Sequence, residues 1–328
     1  MSLHPAFKVQ VGSSSMETEG SEVIDIAIRV SIDSAPGHFE STIKLGEKAG
    51  SFSNDDKVIV SLGYAEDDSK DLTTVFTGRV ESISSTGPKV MVMSPLTKLY
   101  NLRIDRFYDS QYAGEIVKDL AGEAQIQLDE VMNGIKFPSY VINRQKSAFE
   151  HIADLARLCG FDFYPTAEGK LAFKEYRATA SPHSIEYGRN ILEIQLVGKA
   201  PAADSVRVTG SSPSGTEGED KHFWMTKKNV EDKAGNGSNQ ILVQNMALKD
   251  PVTAKAAAEA MLRRLKASTT VNLKIVGNEK IMLGDTVKIH KVPQSSLNGE
   301  FQVREIEHIL TKSEGFTTSL TCKGEPSQ

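Results

Sequence analysis

Between Gly284 and Lys323 the apolar positions fall into three strand-like runs. The first is Gly284-Asp285-Thr286-Val287-Lys288-Ile289. The second starts at the turn Asn298-Gly299, carries Phe301 and Val303 on one face, and slips phase at Arg304-Glu305 so that Ile306, His308 and Leu310 continue the pattern. A period-two pattern that slips by one residue predicts a β-bulge. After Gly315, Phe316, Thr318, Leu320 and Cys322 alternate with Thr317, Ser319, Thr321 and Lys323, the pattern of a strand with one buried face. The three runs predict an antiparallel meander.

A looser copy of it lies near the N-terminus. Asp56-Lys57-Val58-Ile59-Val60 matches Asp285 to Ile289, and Gly78-Arg79-Val80-Glu81-Ser82-Ile83 resembles the run from Gly299 through Val303-Arg304-Glu305-Ile306. Gly87, Val90 and Val92 answer Gly315 and its strand. Two copies of one β-module account for this, and the competing account is that unrelated meanders share such residues. Ahead of the first copy, Ile24, Ile26, Ile28, Val30 and Ile32 alternate with Asp25, Ala27, Arg29 and Ser31, and their β-branched content suits a strand. With Phe7 to Val11, Phe39 to Leu45, Val58 to Leu62, Val75 to Ile83 and Lys89 to Met93, the N-terminal part reaches about six strands, enough for a small barrel or sandwich.

Past Pro95 the period changes. Ala113, Ile116, Val117, Leu120, Ala121 and Ala124 follow helical spacing, with Ser110 as the expected cap. Ser147-Ala148-Phe149-Glu150 is a capping box opening a second helix that stops at Gly160. A hairpin follows, Phe161 to Tyr164 and Leu171 to Tyr176 about the turn Glu168-Gly169. Strand character returns at Ile185 to Val197. Residues 210–220 and 233–239, polar and glycine-rich, are expected to be mobile loops. Asp250-Pro251 begins a third helix over 250–267, ending in Arg263, Arg264 and Lys266, whose cations suit the C-terminal end of the dipole and argue against a phosphate site there.

Composition narrows the chemistry. The 328 residues are 39% hydrophobic and 25% charged, with a net charge of −5 and scattered Lys and Arg, which disfavours a nucleic-acid groove. Cys159 and Cys322 each sit in an apolar pattern and read as buried thiols. No apolar run approaches the roughly 20 residues of a membrane span, and no secretory leader is read at the N-terminus. Walker, dinucleotide, nucleophile-elbow and zinc-helix motifs are absent from the sequence, so neither a cofactor nor a catalytic residue is assigned. The acidic segment Ala65 to Asp71 lacks the ligand spacing of a calcium loop. His290 and His308, on neighbouring meander strands, could face one another without a third metal ligand in sight. Trp224, within His222-Phe223-Trp224-Met225, reads as an anchor or interface patch in preference to a sugar platform.

The run Phe76 to Ile83, the helix, helix and hairpin segment, and the closing Leu283-Gly284-Asp285, Leu297-Asn298-Gly299 and Glu307-His308 motifs occur in an order that resembles the tail-hub proteins of contractile phages, the late-control D family, and of related contractile injection systems. The resemblance spans about Val23 to Lys323. It implies a mainly β chain with an α+β insert: a tube-like barrel or sandwich at 1–98, a helix-helix-hairpin domain at 99–178 and a second barrel at 179–328. It also implies a non-enzymatic homotrimer that adapts a hexameric inner tube to a trimeric spike. Its partners would be copies of itself, the tube protein, the spike protein and other baseplate proteins, in a virion or injection particle assembled in the cytoplasm. On this reading Ile24, Ile26, Ile28, Val30, Phe301, Val303 and Ile306 lie on barrel edges that meet neighbours, with Trp224 as a further contact and the loops 65–71 and 210–220 pointing to tube or spike. The alternatives are a tail-associated cell-wall hydrolase and a carbohydrate-binding module.

Overall fold

The computed structural model describes residues 4–18, 23–32, 40–45, 52–66, 69–84, 89–198, 203–213, 227–266 and 269–326. Seven strands come first: β1 (His4–Val11), β2 (Ser14–Glu17), β3 (Val23–Ser31), β4 (Glu40–Leu45), β5 (Lys57–Glu66), β6 (Ser69–Ile83) and β7 (Lys89–Met93). The middle of the chain holds α1 (Lys98–Asn101), β8 (Arg106–Tyr112), α2 (Ala113–Glu123), β9 (Leu128–Val131), β10 (Lys136–Ile142), α3 (Ala148–Cys159), β11 (Asp162–Pro165) and β12 (Leu171–Lys174). Then come β13 (His183–Glu186), β14 (Ile191–Gly198), β15 (Ser205–Pro213), β16 (Lys227–Ala234), β17 (Gln240–Gln244), α4 (Pro251–Lys266), β18 (Thr269–Val276), β19 (Thr286–His290), β20 (Gly299–Thr311) and β21 (Gly315–Pro326). The protein is mainly β, as the period-two runs predict.

One strand order occurs twice. The first module pairs β3-β4-β7-β6-β5-β1 and the second β14-β18-β21-β20-β19-β13. The rung Val80, Val92, Ser41, Ile28 crosses four strands of the first. Val303, Cys322, Val271, Leu196 crosses the same four positions of the second. The bulge expected at Arg304-Glu305 is present between Val303 and Glu305, and β6 has its counterpart between Val80 and Ser82. A second bulge, Val23 to Asp25 in β3, recurs between Ile191 and Glu193 in β14. The turn before β5 and its counterpart before β19 also agree. Asp55, with φ of 74°, and Gly284, with φ of 82°, both take the left-handed conformation. Ser53 N–H donates to Asp56 at 2.9 Å and Met282 N–H to Asp285 at 2.8 Å, each a side-chain clamp on a tight turn. The outermost pair differs, since β1 runs antiparallel to β5 whereas β13 runs parallel to β19.

The modules are fused by main-chain pairing. Strand β3 is antiparallel to β4 on one side and to the far half of β20 on the other. A single 13-stranded sheet therefore runs through the chain. Arg29 and Glu305, 2.8 Å apart, add an ion pair across the joint.

Between the modules, α2 and α3 pack with the β11·β12 hairpin, and the structure adds a β8·β10 ladder and a parallel β9·β12 pair that the hydrophobic pattern did not reveal. The second helix keeps its sequence-read ends: Ser147 Oγ accepts from Glu150 N–H at 3.3 Å, Ser147 N–H donates to Glu150 at 2.7 Å, and Gly160 closes the helix at φ of 68°. The start of α2 is corrected. Ser110 lies inside β8 with φ of 52°, and it is Tyr112 whose N–H is held by Glu115 at 2.9 Å. Helix α4 lies on β15 and β16 and touches α3. Asp250 caps it by accepting from Thr253 N–H at 2.8 Å. Asp250→Ala will lower stability by about 1 kcal/mol in urea unfolding, the usual cost of an N-cap.

Two expected loops are corrected. Gly210 to Pro213 extend β15 against Val230 to Lys227, because that ladder supplies the backbone partners a free loop would take from water. Lys233 and Ala234 close β16, and the segment behind them is tied down as Asn239 O accepts from Asp204 N–H at 2.9 Å and Gly237 O from Ser205 Oγ at 3.1 Å. The remainder of 210–220 lies outside the described residues.

Candidate assembly interface

Interface residues were expected on strand edges. Strands β3 and β20 do not provide them, because each is paired on both sides within the chain. Ile26, Ile28, Val30, Phe301, Val303 and Ile306 are buried in the joint core. Ile24 sits in β3, while Trp224 lies outside the described residues. The β-branched alternation that marked these residues is a signal of burial, and it does not say whether the covering strand belongs to the same chain.

The open edges of the large sheet lie elsewhere. Strand β14 ends the sheet with β18 on one side only, and it exposes Leu192 and Val197. Beyond its bulge, β6 is held by β7 alone among the described residues, leaving Glu81 to Ser84 exposed, Ile83 among them. On the insert, Phe107 and Val141 sit opposite each other on β8 and β10, 63% and 56% exposed, and form an apolar patch. Sequence reading missed all five. A hydrophobic side chain at a solvated position of an alternating pattern was the available signal.

A cavity of about 1010 Å³ lies where the insert, α4, β15, β17 and β20 meet. Its floor is a buried polar network built on the bulge. Arg304, which the register shift between Val303 and Glu305 passes over, turns its guanidinium to Asp162 Oδ1 at 2.6 Å and to Gln302 Oε1 at 2.9 Å. Gln302 Nε2 donates to Asp162 Oδ2 at 2.6 Å. Both ions are nearly sealed from solvent, at 6% and 7% side-chain exposure, and this fastens β11 of the insert to the second module. The bulge residue of the first module, Glu81, is exposed instead. At the rim, Arg264 Nη1 donates to Phe161 O at 3.1 Å and Arg263 pairs with Glu175 at 3.5 Å, so the basic end of α4 also braces the insert.

The two histidines do not meet as a pair. His290 lies at the end of β19 near Glu186, whereas His308 is buried on the far half of β20 with Nδ1 2.9 Å from Thr318 Oγ1. That hydroxyl also accepts from Asn278 N–H at 3.0 Å, which leaves its proton for the imidazole. Burial lowers the His308 pKa to about 4, so the ring is neutral near pH 7. Cys159 and Cys322 are free and buried, and burial raises the Cys159 thiol to about 12 and Cys322 further. No group of three or more His, Cys, Asp or Glu residues able to hold a metal occurs among the described residues. No helix among them is long and apolar enough to cross a membrane.

No family model matches the sequence, and no curated protein matches it. Solved structures do match in fold. The 43 kDa tail protein of prophage MuSo2 from Shewanella oneidensis superimposes with a TM-score of 0.70 at 12% identity, over 97% of this chain and 98% of that one. A tail protein from Neisseria meningitidis MC58 gives a TM-score of 0.67 at 12% identity, over 98% and 96%. An E. coli component of the type VI secretion system, described as structurally similar to the T4 tail proteins gp27 and gp5, gives 0.57 at 10% identity, over 98% of this chain and 77% of that one. The chain has the fold of these tail proteins from end to end of the matched region.

Proposed function

We propose that this chain is the baseplate hub of a contractile tail or related injection system. It acts as a homotrimer that joins a hexameric inner tube to a trimeric spike. The observation that carries the reading is the duplication: each chain holds the same six-strand order twice, so three chains present six similar modules to a six-fold tube while keeping three-fold symmetry for a spike. Fold likeness to two tail proteins, one of them from a prophage, over nearly the whole chain supports it. The fold likeness to a type VI secretion component supports the inclusion of injection systems in this reading. The chain's work is then structural. Its partners are copies of itself, the tube protein, the spike protein and other baseplate proteins, within a virion or injection particle.

Light scattering over a concentration series tests this. The expected mass is three times the 35.8 kDa of one chain, reached alone or on addition of the candidate spike. A mass of one chain at every concentration with the spike present would overturn it.

A further inference from the structure

The fused joint inside the chain specifies the joint between chains. In the second module, the pairing of β20 with β19 ends at Gln302 and, past the bulge, β20 takes β3 of the first module as its partner from Glu305 onward. In the first module the pairing of β6 with β5 ends at Arg79, and past the matching bulge β6 continues through Ser82 and Ile83 with that side unpaired among the described residues. The counterpart of β3 is β14, which carries the same bulge and the same rung and ends the sheet. Each module thus has one donor edge and one acceptor edge, and a single chain uses one of each.

We propose that β14 of one protomer pairs antiparallel with the 81–84 end of β6 on the next, repeating between chains the β3·β20 pairing within one. The inference rests on the ring reading above and says which edges close it. The joint within the chain sets Ile306 against Val30 and Glu307 against Arg29. Carried across the repeat, Ile83 and Ser84 stand where Ile306 and Glu307 stand, facing the C-terminal end of β14. The bulge between Leu196 and Gly198 sets either Val197 or Gly198 opposite Ser84. The side chains differ as an interface requires. The fused joint is clasped by Arg29 and Glu305, whereas the open edges expose Ile83 at 39% and Val197 at 57%, apolar surface where the two strands would meet. A second copy of this chain fits because the edge it offers is the repeat of one already seated in the same way.

Cysteine trapping decides it. Residues directly opposite on antiparallel strands lie within the reach of a disulfide, and both native thiols are buried, so background bridging is low. Full-length protein carrying Ser84→Cys with Val197→Cys, and separately Ser84→Cys with Gly198→Cys, is oxidised and run on a denaturing gel. One of the two pairs will give linked dimer and trimer that vanish on reduction, and each single variant will not. Ser14→Cys on β2 with Val197→Cys will stay unlinked. Light scattering of the reduced variants separates the two failures. A three-chain mass without links from either pair overturns the joint and leaves the ring, as does linking through Ser14. A one-chain mass without links overturns both.

Discussion

Arg304→Ala will destabilise the protein by about 3–5 kcal/mol, because it leaves the carboxylate of Asp162, only 7% exposed, without its counter-ion. The side chain at stake belongs to the extra residue of the β20 bulge, so the backbone device and the ion pair are one feature. Both oxygens of Asp162 are committed, one to Arg304 and the other to Gln302, so removing the guanidinium leaves one of them without its charged donor. A deletion that also removes the charge behaves differently, since a buried pair roughly cancels its own desolvation cost. Arg304→Met combined with Asp162→Leu will therefore lose less than Arg304→Ala alone. Urea midpoints of the three proteins measure this. A loss below about 1 kcal/mol for the single variant would show that the carboxylate is solvated after all.

Acidification will cost about 3 kcal/mol between pH 7 and pH 4 through His308. Its folded-state pKa of about 4 lies below the 6.5 of a free histidine, so the unfolded chain takes up the proton first as pH falls. Stability from this group is whole above about pH 6.5 and is lost progressively down to about pH 4, at about 1.4 kcal/mol for each unit of the gap. Thr318 and Asn278 supply a hydrogen-bond chain suited to a neutral ring, and Phe316 packs beside it. His308→Gln keeps a polar group there without a titration. Urea unfolding at pH 7, 5.5 and 4 will show a shallower loss for the variant, and equal slopes would reject the assignment.

What could be read from the sequence was what neighbouring residues decide. The phase slip at Arg304-Glu305 announced its bulge, Ser147 with Glu150 announced a helix start, and Asp250-Pro251 announced another, since each is settled within a few residues. The repeat was visible in outline, although the ladders match Val80 to Val303 and Gly78 to Phe301 rather than to Gly299. Partner choice was not readable. Ile28 and Phe301 look equally buried whichever strand covers them, and the strand is chosen by tertiary structure. The Arg304 to Asp162 pair was hidden for the same reason, being set 142 residues apart. Ser110 misled because a serine before a helical pattern is a good cap only if the backbone arrives extended, and here the turn falls two residues later.

The seam between β3 and β20 also fixes an order of events at the ribosome. Arg29 and Glu305 are 276 residues apart, so at roughly 5–20 residues per second β3 waits about 15–55 seconds for the strand that will cover it. Throughout that interval Val23–Ser31, rich in Ile and Val, carries an unshielded row of amide and carbonyl groups. The nascent chain is most prone to aggregate then, and cooling or rare codons that slow elongation will lengthen the exposure.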